Sequence, residues 1–100
     1  MKPLEKDALD VLVAAGLVMD KDRSGTLPSQ EFSRVWEYGF VRRRLNLDKC
    51  KEMLQRLGFM DSLFIPAEGE FEYYFTAQGE RFYRALKTQL PYRDYAFTRV

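Results

Sequence analysis

The chain contains no histidine. That removes at once the commonest general base and the commonest nitrogen ligand for a metal. Cys50 is the lone cysteine, so the chain can build neither an internal disulfide nor a thiolate zinc site. No phosphate-cradling glycine loop, dinucleotide fingerprint or nucleophile elbow occurs. Glu68, Glu70 and Glu72 are close in sequence, but an exposed hairpin is not a desolvated cleft for acid–base work. Apolar runs are all far shorter than the about eighteen residues of a membrane span. The opening Met-Lys-Pro-Leu-Glu has no apolar signal core. These absences lead to the expectation of a cytoplasmic protein that is not an enzyme, carries no cofactor and meets no membrane.

What is present suits one packed domain. The 100 residues are 46% apolar and 15% aromatic, too rich for disorder. No Ser- or Gly-rich linker or internal repeat divides them. A domain of this size buries roughly two thirds of its unfolded surface. Leu9, Leu12 and Val13 mark the apolar face of a first helix from about Leu4 to Ala15, which Gly16 stops or which runs on to Met19. Pro28 suits the first turn of a second helix carrying Phe32, Val35, Trp36 and Phe40 on one face, with Arg42, Arg43 and Arg44 at or just past its end. Asn46 is placed to cap a third helix with Leu47, Cys50, Leu54 and Leu57 at helical spacing, and Gly58 stands where a left-handed residue ends it.

Phe71, Tyr73 and Phe75 then alternate with Glu70, Glu72 and Tyr74, the period of a half-buried strand. Pro66-Ala67-Glu68-Gly69 supplies the turn before it. Thr76 caps a fourth helix that presents Phe82, Leu86 and, where the helix reaches it, Leu90 inward.

This succession, and above all the wing-like hairpin followed by Tyr-Tyr-Phe-Thr-Ala-Gln-Gly, resembles the winged helix-turn-helix family. The resemblance implies an α+β fold of three helices, a two-stranded wing hairpin and a closing C-terminal helix over residues 1–90. It also implies a small DNA-binding, transcription-regulating protein, commonly a dimer. The remaining residues, 91–100, form an aromatic tail. Tyr92, Tyr95 and Phe97 in that tail are too many rings for a solvated end, and pack on the domain or on a second subunit.

Charge is unevenly distributed. Residues 34–56 carry seven basic and three acidic side chains, and residues 58–80 carry five acidic and none basic. The basic pole offers Arg42, Arg43, Arg44, Lys49, Lys51 and Arg56 for phosphate neutralisation around the third helix. Lys49, Glu52 and Arg56 share one helical face that could meet base edges in a major groove. Three consecutive arginines cannot all face one phosphate track, so one of them should pair with an acid. Glu68, Glu70 and Glu72 would repel phosphates, which leaves a second reading: a protein-interaction module that uses the acidic wing and binds no nucleic acid.

Asp20 to Glu31 also resembles an EF-hand calcium loop. Oxygens would come from Asp20, Asp22, Ser24, the Thr26 carbonyl and Glu31, with Gly25 at the sharp turn. Pro28 replaces the usual polar residue, and no second loop appears. The competing reading is a polar turn between helices, in which Asp and Ser serve the backbone.

Overall fold

The computed structural model describes residues 2–96. Helix α1 (Pro3–Asp22) is followed by a two-residue strand β1 (Leu27–Pro28) and a 3₁₀ helix (Ser29–Glu37). Helix α2 (Leu47–Arg56), strands β2 (Met60–Ile65) and β3 (Glu70–Phe75), helix α3 (Ala77–Leu86) and a one-turn helix α4 (Arg93–Ala96) complete the chain. The fold is α+β, with a three-stranded antiparallel sheet ordered β1-β3-β2.

Helix α1 is the axis of the molecule. Every residue from Val11 to Met19 is buried, as expected of a helix that is apolar on all sides. One cluster around Leu12, Val18, Phe32, Cys50 and Leu54 packs against it. A second, around Val13, Leu17, Tyr83 and Tyr92, packs on another side. Gly16 does not stop α1. A Cβ there would lie 2.3 Å from the Tyr83 ring, so the glycine is a notch that admits that ring. The helix ends instead at Arg23, whose left-handed φ of 54° turns the chain.

The second helix differs from expectation in type and length. It is 3₁₀ rather than α, and it stops at Glu37 instead of reaching Arg42–Arg44. Pro28 lies in β1, opposite Glu72, rather than in the helix. With three residues per turn, Phe32 and Val35 eclipse on the core side, and Trp36 rotates off that face. Phe32 and Val35 are accordingly buried, and Trp36 is exposed. The two-stranded sheet expected from the hairpin becomes three-stranded because Leu27 pairs with Tyr73.

The elements after residue 45 follow their local signals. The Asn46 side chain accepts the Lys49 N–H at 3.0 Å, and Gly58 takes φ 78° after α2. Strands β2 and β3 pair from Met60↔Phe75 to Ile65↔Glu70. Gly69, at φ 67°, closes their turn by donating to the Ile65 carbonyl at 2.9 Å. Thr76 Oγ1 accepts the Gly79 N–H at 3.0 Å and donates to the Gly58 carbonyl. Besides Phe82 and Leu86, α3 sends Tyr83 inward, its most deeply buried side chain, whereas Leu90 lies beyond the end of the helix at Leu86 and is exposed rather than inward. Among the described residues, no helix is long and apolar enough to cross a membrane.

Candidate nucleic-acid interface

Helix α2 buries Cys50 and Leu54 and turns Lys49, Glu52 and Arg56 outward, all three exposed. Their spacing of three and four residues keeps them on one face. Arg43 and Arg44 are exposed in the turn that leads into the helix.

Two members of the expected basic set are held within the fold. Arg42 is the arginine that pairs with an acid. Its Nη2 lies 2.6 Å from Oδ2 of Asp7 and its Nε 3.4 Å from Oδ1. Asp7 is nearly buried on α1, so this bidentate pair ties the loop before α2 to the central helix. The hydrogen bond that the guanidinium donates to Asp7 also raises its pKa above the ordinary value. Lys51 folds over the Phe32 and Tyr73 rings, 5.0 and 4.7 Å from their centroids. Its side chain is only 14% exposed and its ammonium is 3.7 Å from Asp48. Both residues position α2: Arg42 is tied to Asp7 although its side chain is largely exposed, and Lys51 is mostly covered. The other outward basic groups of this region are Arg43, Arg44, Lys49 and Arg56, with Glu52 and Asp48 among them.

Cys50 faces inward beside this pair. Burial, then the nearby Asp7 carboxylate, push its thiol up to about 11, against a smaller lowering by Arg42. The group is a protonated core side chain at neutral pH.

The residues of the calcium-like segment are committed to other contacts. Asp20 and Asp22 lie in the last turn of α1. Asp20 Oδ2 accepts the Tyr83 hydroxyl at 2.6 Å and lies 3.3 Å from Lys87 Nζ. Asp22 forms a bidentate pair with Arg34, at 2.6 and 3.0 Å, and this hydrogen bonding lowers its pKa. Arg34 also holds Glu31 at 3.0 Å. Ser24 and Thr26 bond to each other, and the Thr26 hydroxyl donates to Glu72 at 2.6 Å. Among the described residues, no three His, Cys, Asp or Glu side chains are grouped so as to hold a metal ion.

The acidic hairpin is likewise partly occupied. Glu72 holds Thr26, and Glu70 accepts the Gln30 N–H at 3.5 Å. Two of the three expected wing acids therefore fasten the segment around β1 to β3, and Glu68 stands exposed in the turn. What residue types alone did not single out is the apolar character of the hairpin: Leu63, Phe64 and Phe71 are all exposed. The available signal was the Phe64–Phe71 pair flanking the turn at equal distance.

The described part of the tail packs on its own domain through Tyr92 and Tyr95. The Tyr92 hydroxyl donates to Asp10 Oδ1 at 2.6 Å, and its ring stands edge-on to Phe40 at 5.0 Å. Tyr95 meets Phe40 and Tyr38 edge-on at 4.9 and 6.3 Å. Phe97 lies outside the described residues. Lys6 completes the Asp10 site at 2.7 and 2.8 Å. Three acids of α1 thus anchor distant parts of the chain: Asp7 holds Arg42, Asp10 holds Tyr92 and Asp20 holds Tyr83. Compared with known proteins, the chain matches no family model, no curated protein and no solved structure.

Proposed function

We propose that the chain is a winged-helix domain that binds DNA through α2 and serves in transcription regulation. The observation that carries this reading is the outward row Lys49, Glu52 and Arg56 on a helix whose opposite face is buried, with Arg43 and Arg44 exposed just before it. The order helix, strand, helix, helix, hairpin, helix, with β1 beside β3, supports the same assignment. In such a domain the helix after the turn enters the major groove. Arg43, Arg44, Lys49 and Arg56 neutralise phosphates, and the Lys49–Glu52–Arg56 face meets base edges. Arg42 and Lys51 contribute by fixing α2 to Asp7 and to the Phe32 and Tyr73 rings. The hairpin, with Asp61, Glu68, Glu70 and Glu72 and no basic residue, stays off the phosphates.

Four phosphate contacts give a slope of log affinity against log salt of about −3 to −4 on duplex DNA. Fluorescence anisotropy of a labelled random duplex, titrated at several salt concentrations, measures it. Arg43→Ala with Arg44→Ala removes two contacts and brings the slope to about −2. No binding at low salt, or a slope that this double variant leaves unchanged, overturns the reading.

A further inference from the structure

The β2–β3 hairpin has the properties of a second, separate surface. Leu63 is 60% exposed, Phe64 46% and Phe71 47%. Phe64 and Phe71 face each other across the strands with ring centroids 5.2 Å apart. Near the base of the hairpin the same sheet face carries Met60, Tyr73 and Phe75, which pack into the core. Toward the tip the apolar side chains continue beyond anything the domain offers to cover them. Leu63 lies on the opposite face, next to Glu72 in register and between Asp61 and Ile65, so the finger has an aromatic face and an acidic one. Clustered large apolar groups of this kind mark an interaction site, whereas isolated ones do not.

Charge decides what fits there. Glu68 stands in the turn beside the Phe64–Phe71 pair, Asp61, Glu70 and Glu72 line the reverse face of the thin ribbon, and no Lys or Arg occurs from residue 58 to 80. DNA is excluded by that field. A second copy meeting hairpin to hairpin would bring Glu68 and Glu70 against their own counterparts, and like charges across an interface are unfavourable. We infer that the hairpin docks a protein partner through a basic amphipathic segment, whose apolar side chains cover the Phe64–Phe71 pair while flanking Lys or Arg reach the acids of the turn and of the reverse face. Aromatic anchors at the centre and charge at the rim are the usual division of labour in such contacts. The inference does not depend on DNA binding, which uses α2.

The test is an NMR titration of the isotopically labelled full chain with two synthetic amphipathic peptides, one of Leu and Lys, the other of Leu and Glu. The Leu/Lys peptide should shift amides from Asp61 to Glu72, less so as salt is added, and the Leu/Glu peptide should not. Phe64→Ser with Phe71→Ser should weaken the Leu/Lys peptide at least about tenfold, the effect of about 1.4 kcal/mol. Both residues are exposed, and unchanged α2 and α3 resonances verify that the variant is folded. Arg43→Ala with Arg44→Ala should leave peptide binding as it was. Absence of hairpin shifts, equal response to both peptides, or shifts centred elsewhere would overturn the inference. So would sedimentation showing that the hairpin is already covered in a self-associated form.

Discussion

Replacing Gly16 with alanine sets two effects of known size against each other. In a helix interior the change gains about 1 kcal/mol of propensity. The new Cβ, however, would stand 2.3 Å from Cε1 of Tyr83 and 2.5 Å from Cδ1. Tyr83 is 1% exposed and its hydroxyl is held by Asp20 at 2.6 Å. The ring therefore moves only by disturbing the core and lengthening that bond. Overpacking costs about 1–3 kcal/mol and a lost hydrogen bond to a charged group about 1.5–3 kcal/mol. Set against the propensity gain, the net loss is about 1.5–5 kcal/mol. At about 4–8 °C per kcal/mol for a domain of this size, Tm should fall by about 6 °C or more. Thermal unfolding followed by circular dichroism reads this directly. Gly25→Ala is the control, because nothing lies within 4 Å of its Cβ position, and it should leave Tm nearly unchanged. Combining Gly16→Ala with Tyr83→Ala should remove most of the first variant's cost, since the two residues then no longer collide. A Gly16→Ala protein as stable as the parent would refute the notch and return Gly16 to an ordinary helical position.

Two further outcomes follow from the anchors on α1. Tyr92→Phe keeps the ring but removes the bond to Asp10; urea unfolding should show a loss of about 1.5–3 kcal/mol, and an unchanged midpoint would mean that the tail is held by ring packing alone. At alkaline pH the sign is set by raised acids. The Cys50 thiol is pushed up to about 11 by burial first, and Tyr83 and Tyr92 are raised by burial and then by their bonds to Asp20 and Asp10. The folded chain then holds protons that the unfolded chain has released. Stability should therefore be constant near neutrality and fall as pH rises above about 9. The urea midpoint against pH measures it, and a midpoint that rises with pH in that range would contradict the assignment. In parallel, Cys50 should resist thiol reagents until denaturant is added.

The parts of the fold that sequence made legible are those with local instructions. Asn46 and Thr76 cap helices within three residues of themselves, Gly58 and Gly69 adopt the left-handed backbone that their positions require, and the alternation from Glu70 to Phe75 declares a strand. β1 was not legible because two residues are too few to show a period, and Pro28 argues against a strand except at a sheet edge. Over nine residues a 3₁₀ helix and an α-helix give nearly the same apolar spacing, and only the position of Trp36 separates them.

The site was half legible. A run of basic residues looks uniform, but what each one does depends on partners far away in the chain: Asp7 lies 35 residues from Arg42, and Phe32 and Tyr73 come from different elements to meet Lys51. The same distance hid the use of Asp20 and Asp10, which reach 63 and 82 residues along the chain to Tyr83 and Tyr92. Gly16 was ambiguous for a related reason. A glycine that ends a helix and one that admits a ring are alike until the ring's element is placed.

The most direct test of α2 as the DNA-binding element is an NMR amide titration of the labelled chain with a random duplex, first at low and then at moderate salt. Shifts concentrated on Arg43, Arg44, Lys49, Glu52 and Arg56, reversed by salt and sparing the hairpin from Asp61 to Glu72, are the predicted result. No shift at low salt, or shifts on the acidic hairpin instead, would contradict it.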